Sequence, residues 1–467
     1  MSEWKKHKLA DVCEAIFSGG TPNTREKSYW EGKFKWLSSG ETRSKFICST
    51  ERTITELGIE ESSTRLALKG DIVIASAGQG HTRGQTSFLL TDTFINQSIV
   101  AIRTNKEVIN PLWLFYNLSS RYEEMRQISD SHSSRGSLTT ALIRNMEVMH
   151  PPIEVQEKIA KQLYSLDQKI ELNNQTNQTL EAIAQAIFKS WFVDFDPVKA
   201  KVAVLESGGS MEEANLSAMQ AISGKSAEEL EQFKKSQPKA YAELKETAEA
   251  FPSAFVESEL GLIPEGWEVT SIGEKLTVVL GGTPSRQKPA YWEKGTIPWI
   301  NSGMVNLDRI IKPSEFITEL GLTNSATKLV PKHSTLVAIT GATLGQISYT
   351  EIETCTNQSV VSVIENQKVH GEFIHGWITC NIEKLISSQT GGAQQHINKG
   401  NVSDLLFLIP SEKVLSAHKI LARNIYCTIA NNLFENETLS FNRDALLPRL
   451  LSGEINVSSL SILESEA

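Results

Sequence analysis

The 467 residues are too many for one core, and length alone suggests about three domains. A net charge of -9 argues at first against a nucleic-acid partner, but residues 1–150 carry 19 basic and 17 acidic groups, 196–260 carry 7 and 12, and 261–410 carry 11 and 13. Local charge governs phosphate contact, so the total excludes nothing. Five scattered cysteines (Cys13, Cys48, Cys355, Cys380, Cys427) without a Cys-x-x-Cys pair indicate neither a zinc site nor a disulfide framework and suit a reducing cytoplasm. The polar start from Met1 to Lys8 is no signal peptide, and no apolar run is long enough for a bilayer, so a soluble cytoplasmic protein is expected.

From Trp4 the chain reaches a turn, Gly19-Gly20-Thr21-Pro22, then Tyr29-Trp30-Glu31, Trp36 and Ser39-Gly40. The glycines suggest positive φ and the proline a fixed exit into a polar loop. The tryptophans read as core anchors. Short apolar runs at 71–75 and 98–102 read as strands, separated by the loop Gly78-Gln79-Gly80-His81-Thr82-Arg83-Gly84-Gln85; Asn96-Gln97-Ser98 opens the second run. A helix is expected over 112–127, followed by the polar segment Ser133-Ser134-Arg135-Gly136-Ser137 and a boundary at Pro151.

The next stretch places Ile159, Leu163, Leu166, Ile170, Asn173, Asn177, Leu180, Ala184, Ile187 and Trp191 at alternating steps of four and three, a coiled-coil seam. After Phe188 to Pro197, the segment to about Phe251 is polar, acidic and helix-prone, and reads as a partly helical, solvated tether. Its Gly224-Lys225-Ser226 resembles the end of a phosphate loop, but the earlier glycine is replaced by Met219.

The first third then recurs. Trp267, Gly281-Gly282-Thr283-Pro284, Tyr291-Trp292-Glu293, Trp299 and Ser302-Gly303 match the opening blocks at offsets of 262 and 263 residues, which marks a duplicated domain. Runs at 335–339 and 359–364 match the strands, Gly341-Ala342-Thr343-Leu344-Gly345-Gln346 the loop, Asn357-Gln358-Ser359 the tripeptide, 373–388 the helix, and Gly391-Gly392-Ala393-Gln394-Gln395-His396 the polar segment before Pro410. The seam returns as His418, Ala422, Ile425, Ile429, Asn432, Asn436, Leu439, Arg443, Leu446 and Leu450. Each stripe needs a partner, and the nearest is its own copy; two amphipathic helices packed on separate domains is the competing arrangement. In an antiparallel pair Asn173 comes level with Asn436 and Asn177 with Asn432, giving polar layers that fix register. A seam of this length spans roughly 48 Å.

No Gly-x-Ser-x-Gly elbow or His-Glu-x-x-His helix is present, and His150-Pro151-Pro152-Ile153 lacks the flanking residues of an amino-methyltransferase motif. The chain by itself reads as non-catalytic. The duplicated Gly-Gly-Thr-Pro blocks, Phe188 to Pro197, Leu260 to Trp267, and Leu446-Leu447-Pro448-Arg449-Leu450-Leu451-Ser452-Gly453-Glu454-Ile455 together resemble the specificity subunit of a type I DNA restriction-modification system. The resemblance spans nearly the whole chain. It implies an α+β protein with two mixed α/β target-recognition domains held apart by an antiparallel intramolecular coiled coil: 1–152 and 258–410 as the domains, 153–195 and 411–455 as the helices, 196–257 as connector and 456–467 as tail. It further implies double-stranded DNA as ligand, two methylase subunits using S-adenosylmethionine, and motor-nuclease subunits using ATP and Mg. No cofactor is implied on this chain.

Basic and amide side chains in the unequal loops suit paired hydrogen bonds to bases. The candidates are Thr21, Arg25, Lys27, Gln79, His81, Arg83, Ser133 and Arg135 in the first repeat, and Thr283, Arg286, Lys288, Thr343, Gln346, Gln394, Gln395 and His396 in the second. A solvated loop residue or a phosphate contact is the alternative at each position. A duplicated protein-binding scaffold without DNA readout is the competing function; only a reader selects a two-part sequence in a gel shift.

Overall fold

The computed structural model describes all residues except 1–3, 79–80, 133–135, 388–396 and 456–467. The chain divides into two compact units, 1–171 with 436–467 and 172–435, so each unit contains one repeat and a segment of both long helices.

In the first unit the run Ile72–Ala75 is buried at every position because its alternate side chains enter two cores. Ile72 and Ile74 pack with Ile102 and Trp113, whereas Val73 packs with Leu37 and Ala101. This strand is central in a five-stranded sheet ordered Cys13–Ser18, Ile99–Thr104, Ile72–Ala75, Thr86–Leu89, Phe46–Ile47. A four-stranded sheet runs Arg52–Ile54, Trp30–Leu37, Thr93–Ile95, Arg65–Ala67. Both sheets are mixed: Phe46–Ile47 pairs in parallel with Thr86–Leu89, and Trp30–Leu37 with Thr93–Ile95, while the other pairings are antiparallel.

The second unit repeats that order strand for strand. Its five-stranded sheet runs Thr277–Leu280, Val360–Ile364, Thr335–Ala338, Ile347–Thr350, Arg309–Ile310, and its four-stranded sheet Glu315–Ile317, Ile297–Ile300, Thr354–Thr356, Leu329–Val330. One expected match is unequal. Helix Gly371–Ser387 is continuous, but the helix expected over 112–127 is two, Pro111–Ser119 and Tyr122–His132. Asn110 caps the first by accepting from Trp113 N–H. At the break Arg121 turns its guanidinium onto Glu124 and the Glu147 carbonyl.

The long helices are Ile153–Phe192 and Glu412–Leu451. In the first unit Ile159 and Leu163, near the start of one, pack with Leu446 and Leu450, near the end of the other. In the second unit Ala184 packs with Ile425 and Tyr426. Both contacts are those of an antiparallel pair.

The connector is not a solvated tether. It forms helices Asp196–Glu206, Met211–Ser223, Ala227–Ser236 and Pro238–Ala250, which bury Ala218, Met219, Leu230 and Ala248 among themselves. Val198 and Phe251 join Trp191 and Trp267 in the core of the second unit. Local signals account for this: Ser210 with Glu213 and Ser226 with Glu229 make capping boxes. Gly224 adopts φ +68° to end one helix before Ser226 caps the next, so the phosphate-loop-like triplet is a helix stop and start. Among the described residues no helix is long and apolar enough to cross a membrane.

Candidate nucleic-acid interface

Both repeats build the same exposed corner from the same sequence blocks. The Gly-Gly-Thr-Pro turn follows the edge strand of the five-stranded sheet and lies against the Asn-Gln-Ser tripeptide. Its glycines are required by close approach rather than by positive φ: a Cβ on Gly19 would sit 1.9 Å from the Ile95 carbonyl oxygen, and one on Gly281 would sit 2.2 Å from the Asn357 oxygen. The Thr21 hydroxyl donates to Gln97 Oε1, and Thr283 donates to Gln358 Oε1 at 2.5 Å. This leaves the amide nitrogen of each exposed glutamine without a partner among the described residues.

Two tryptophans hold each turn from beneath. Trp36 Nε1 donates to the Gly20 carbonyl at 3.4 Å and Trp299 Nε1 to the Gly282 carbonyl at 3.1 Å. Trp30 Nε1 donates to the Asn23 carbonyl at 3.1 Å and Trp292 Nε1 to the Ser285 carbonyl at 3.2 Å. The indoles meet edge to face, with centroids 5.0 Å apart in the first repeat and 5.2 Å in the second. These rings are therefore anchors that also shape an exposed loop.

The predicted contact residues fall into distinct settings. Arg25 and Lys27 are exposed beyond the first turn, as are Arg286 and Lys288 beyond the second. Arg286 is engaged by Glu315 through two bonds of 2.5 and 2.7 Å, and Lys288 donates to the Tyr291 hydroxyl at 3.1 Å. The paired hydrogen bonds raise the Arg286 pKa and lower that of Glu315. His81 is exposed, its carbonyl accepting from the Tyr122 hydroxyl at 3.0 Å. Arg83, expected to reach outward from the same loop, is instead buried and paired with Asp130 at 2.5 Å. Thr343 and Gln346 are half-buried, and Gln346 Oε1 has no partner among the described residues. Gln79, Ser133, Arg135, Gln394, Gln395 and His396 lie outside the described residues.

Within the second unit Asn177 is buried and accepts from the Asn432 side chain at 2.8 Å, while Asn173 donates to Glu435 at 2.8 Å. Asn436 is half-buried.

One long helix follows each copy of the duplicated α/β frame, and the sequence has clear relatives. The type I restriction modification DNA specificity domain matches residues 1–182 and 264–422, and the chain belongs to that family. It is 33% identical to the type I restriction enzyme HindI specificity subunit of Haemophilus influenzae over 97% of this chain and 100% of that one. It is 26% identical to the MjaIX specificity subunit of Methanocaldococcus jannaschii over 98% and 95%. The fold is shared with the crystal structure of the type I S subunit from M. genitalium, with a TM-score of 0.56, 13% identity and 96% of each chain covered.

Proposed function

We propose that this chain is the sequence-reading subunit of a type I restriction-modification complex. Each repeat reads one half of a split duplex sequence, and the helix pair sets the gap between halves and carries two methylase subunits. Those subunits supply adenine N6 methylation from S-adenosylmethionine, and motor-nuclease subunits supply ATP- and Mg-dependent cleavage. The supporting observation is the duplicated corner: the turn, its indole anchors and the threonine–glutamine pair are the same in both repeats, while the exposed residues around them differ. Equal frames with unequal surfaces suit two unlike half-sites on one regular duplex.

On this reading Thr21 and Thr283, with their glutamines, face what both half-sites share, the phosphate backbone. The unequal residues Arg25, Lys27, Gln79, His81, Ser133 and Arg135, and Lys288, Thr343, Gln346, Gln394, Gln395 and His396, face what differs. Replacing residues 1–150 with the matching domain of another specificity subunit is expected to change one half of the methylated motif in methylome sequencing. A change in both halves would sink the modular reading.

A further inference from the structure

One cationic feature occurs at the same place in both repeats but comes from different parts of the chain. In the first repeat the Arg52 guanidinium lies 3.5 Å from the Trp30 ring and 5.8 Å from Trp36. In the second the Arg286 guanidinium lies 3.6 Å from Trp292 and 5.2 Å from Trp299, the equivalent rings. Arg52 starts the edge strand Arg52–Ile54, level with Trp36; Arg286 belongs to the loop after the glycine turn. The strand position that matches Arg52, level with Trp299, is Glu315, and Glu315 is the residue that grips Arg286.

A stack that only sealed the indoles would need no arginine in particular, because any apolar side chain covers a ring. Instead the guanidinium is present in both repeats although neither of the two chain positions keeps it. A planar cation on an indole loses little freedom when it binds, and its N–H donors at the rim stay available for a phosphate. The two copies differ in charge. Among the described residues Arg52 is exposed, and its guanidinium has no hydrogen-bond or ion-pair partner, whereas Arg286 is neutralised by Glu315.

We infer that the guanidinium stacked on the paired tryptophans is a phosphate-binding point of each recognition domain, open in the first repeat through Arg52 and already charge-compensated in the second through Arg286 and Glu315. This rests on the DNA-reading function above and adds to it a sequence-independent grip that is stronger on the first half-site.

The test is the salt dependence of duplex binding by the full chain, read by fluorescence anisotropy on the motif found by methylome sequencing and on the same duplex scrambled in both halves. Each phosphate neutralised contributes about 0.9 to the slope of log affinity against log salt. Arg52→Gln is expected to flatten the slope by about one such contact and to weaken both duplexes by the same factor. Arg52→Lys, which keeps the charge, is expected to keep the slope. Glu315→Gln, which frees the stacked Arg286, is expected to steepen it by about the same amount.

An Arg52→Gln slope equal to the parent's in a chain with an unchanged melting temperature overturns the inference, as does relaxation at one base pair with the slope retained. An unchanged slope in Glu315→Gln overturns the equivalence of the two points. A parent chain that binds motif and scrambled duplex equally would instead remove the sequence-reading function, a failure visible without any variant.

Discussion

Asn432 donates its side-chain N–H to the Asn177 oxygen at 2.8 Å, and Asn177 in turn donates to the Ile429 carbonyl at 3.4 Å. The bond spans the two long helices inside the second unit, between residues 255 apart in sequence. A buried amide that finds its partner in only one alignment penalises every slipped alignment. Replacing Asn432 alone with leucine strands the Asn177 oxygen and is expected to cost about 1 to 3 kcal/mol. Replacing both is expected to recover that loss in chemical denaturation, yet to let duplexes with a spacer altered by one base pair bind relatively better. A double variant that discriminates spacers as sharply as the parent would refute the register role.

In the first unit the two helices are joined by a different device. Asp167 is buried and accepts from Arg443 at 2.6 Å, from the Tyr116 hydroxyl at 2.8 Å and from Lys45 at 3.3 Å. One carboxylate thus ties both helices to the recognition domain. Asp167→Ala leaves Arg443 only its bonds to the exposed Asp444 and strands the buried Tyr116 hydroxyl, and a loss of about 1 to 3 kcal/mol is expected. The Asp167→Ala, Arg443→Ala double variant should lose much less than the sum of the singles. Strict additivity would show that the two groups act independently.

The repeats were legible because identical framework residues recur at a fixed offset, and the seam because its spacing survives in both copies. All the seam positions from Ile159 to Trp191 are buried or half-buried. The Asp167–Arg443 pair was not legible: Arg443 occupies an apolar register position, and nothing local shows that Asp167, one residue beyond a seam leucine, faces it. Arg52 escaped for a related reason. Its counterpart in function of place is Arg286, and an alignment of the repeats sets Arg52 against Glu315 instead. The packing of the connector could have been read from Ser210-x-x-Glu213 and Ser226-x-x-Glu229, two capping boxes that its acidity obscured.

The second unit should be sensitive to acid. Burial pushes the pKa of His375 from 6.5 down to about 3, helped by the nearby Arg309 charge, and that of His418 to about 3, helped by the His370 ring. Burial opposes the charge of Glu372, yet its bond to His370 and the Arg423 guanidinium prevail and hold its carboxyl at about 2. The unfolded chain therefore takes up protons near pH 6.5 and 4.5 that the folded one refuses, so stability present at neutral pH declines below about 6.5 and faster below about 4.5. Denaturation midpoints measured across this range should show the decline, and His418→Phe should make its upper part shallower. Parallel curves for parent and variant would show that His418 is not one of the titrating groups.

Arg83 tests whether a basic residue in a glycine-rich loop reads DNA or builds the loop. Its side chain is 8% exposed, pairs with Asp130 and passes so close to Gly136 that a Cβ there would lie 1.7 Å from Nη1. Gly136 also sits at φ +54°, where a side chain is strained. A guanidinium enclosed in this way cannot extend to a base edge without leaving its pocket, so its work is to fasten the loop carrying His81 to the helix Tyr122–His132. Arg83→Ala is expected to cost about 1 to 3 kcal/mol of stability. It should weaken all duplexes alike, as should Gly136→Ala, which displaces the guanidinium without removing it. Relaxed methylation at one base pair in Arg83→Ala, with stability unchanged, would instead make Arg83 a direct reader and the observed pairing a resting position.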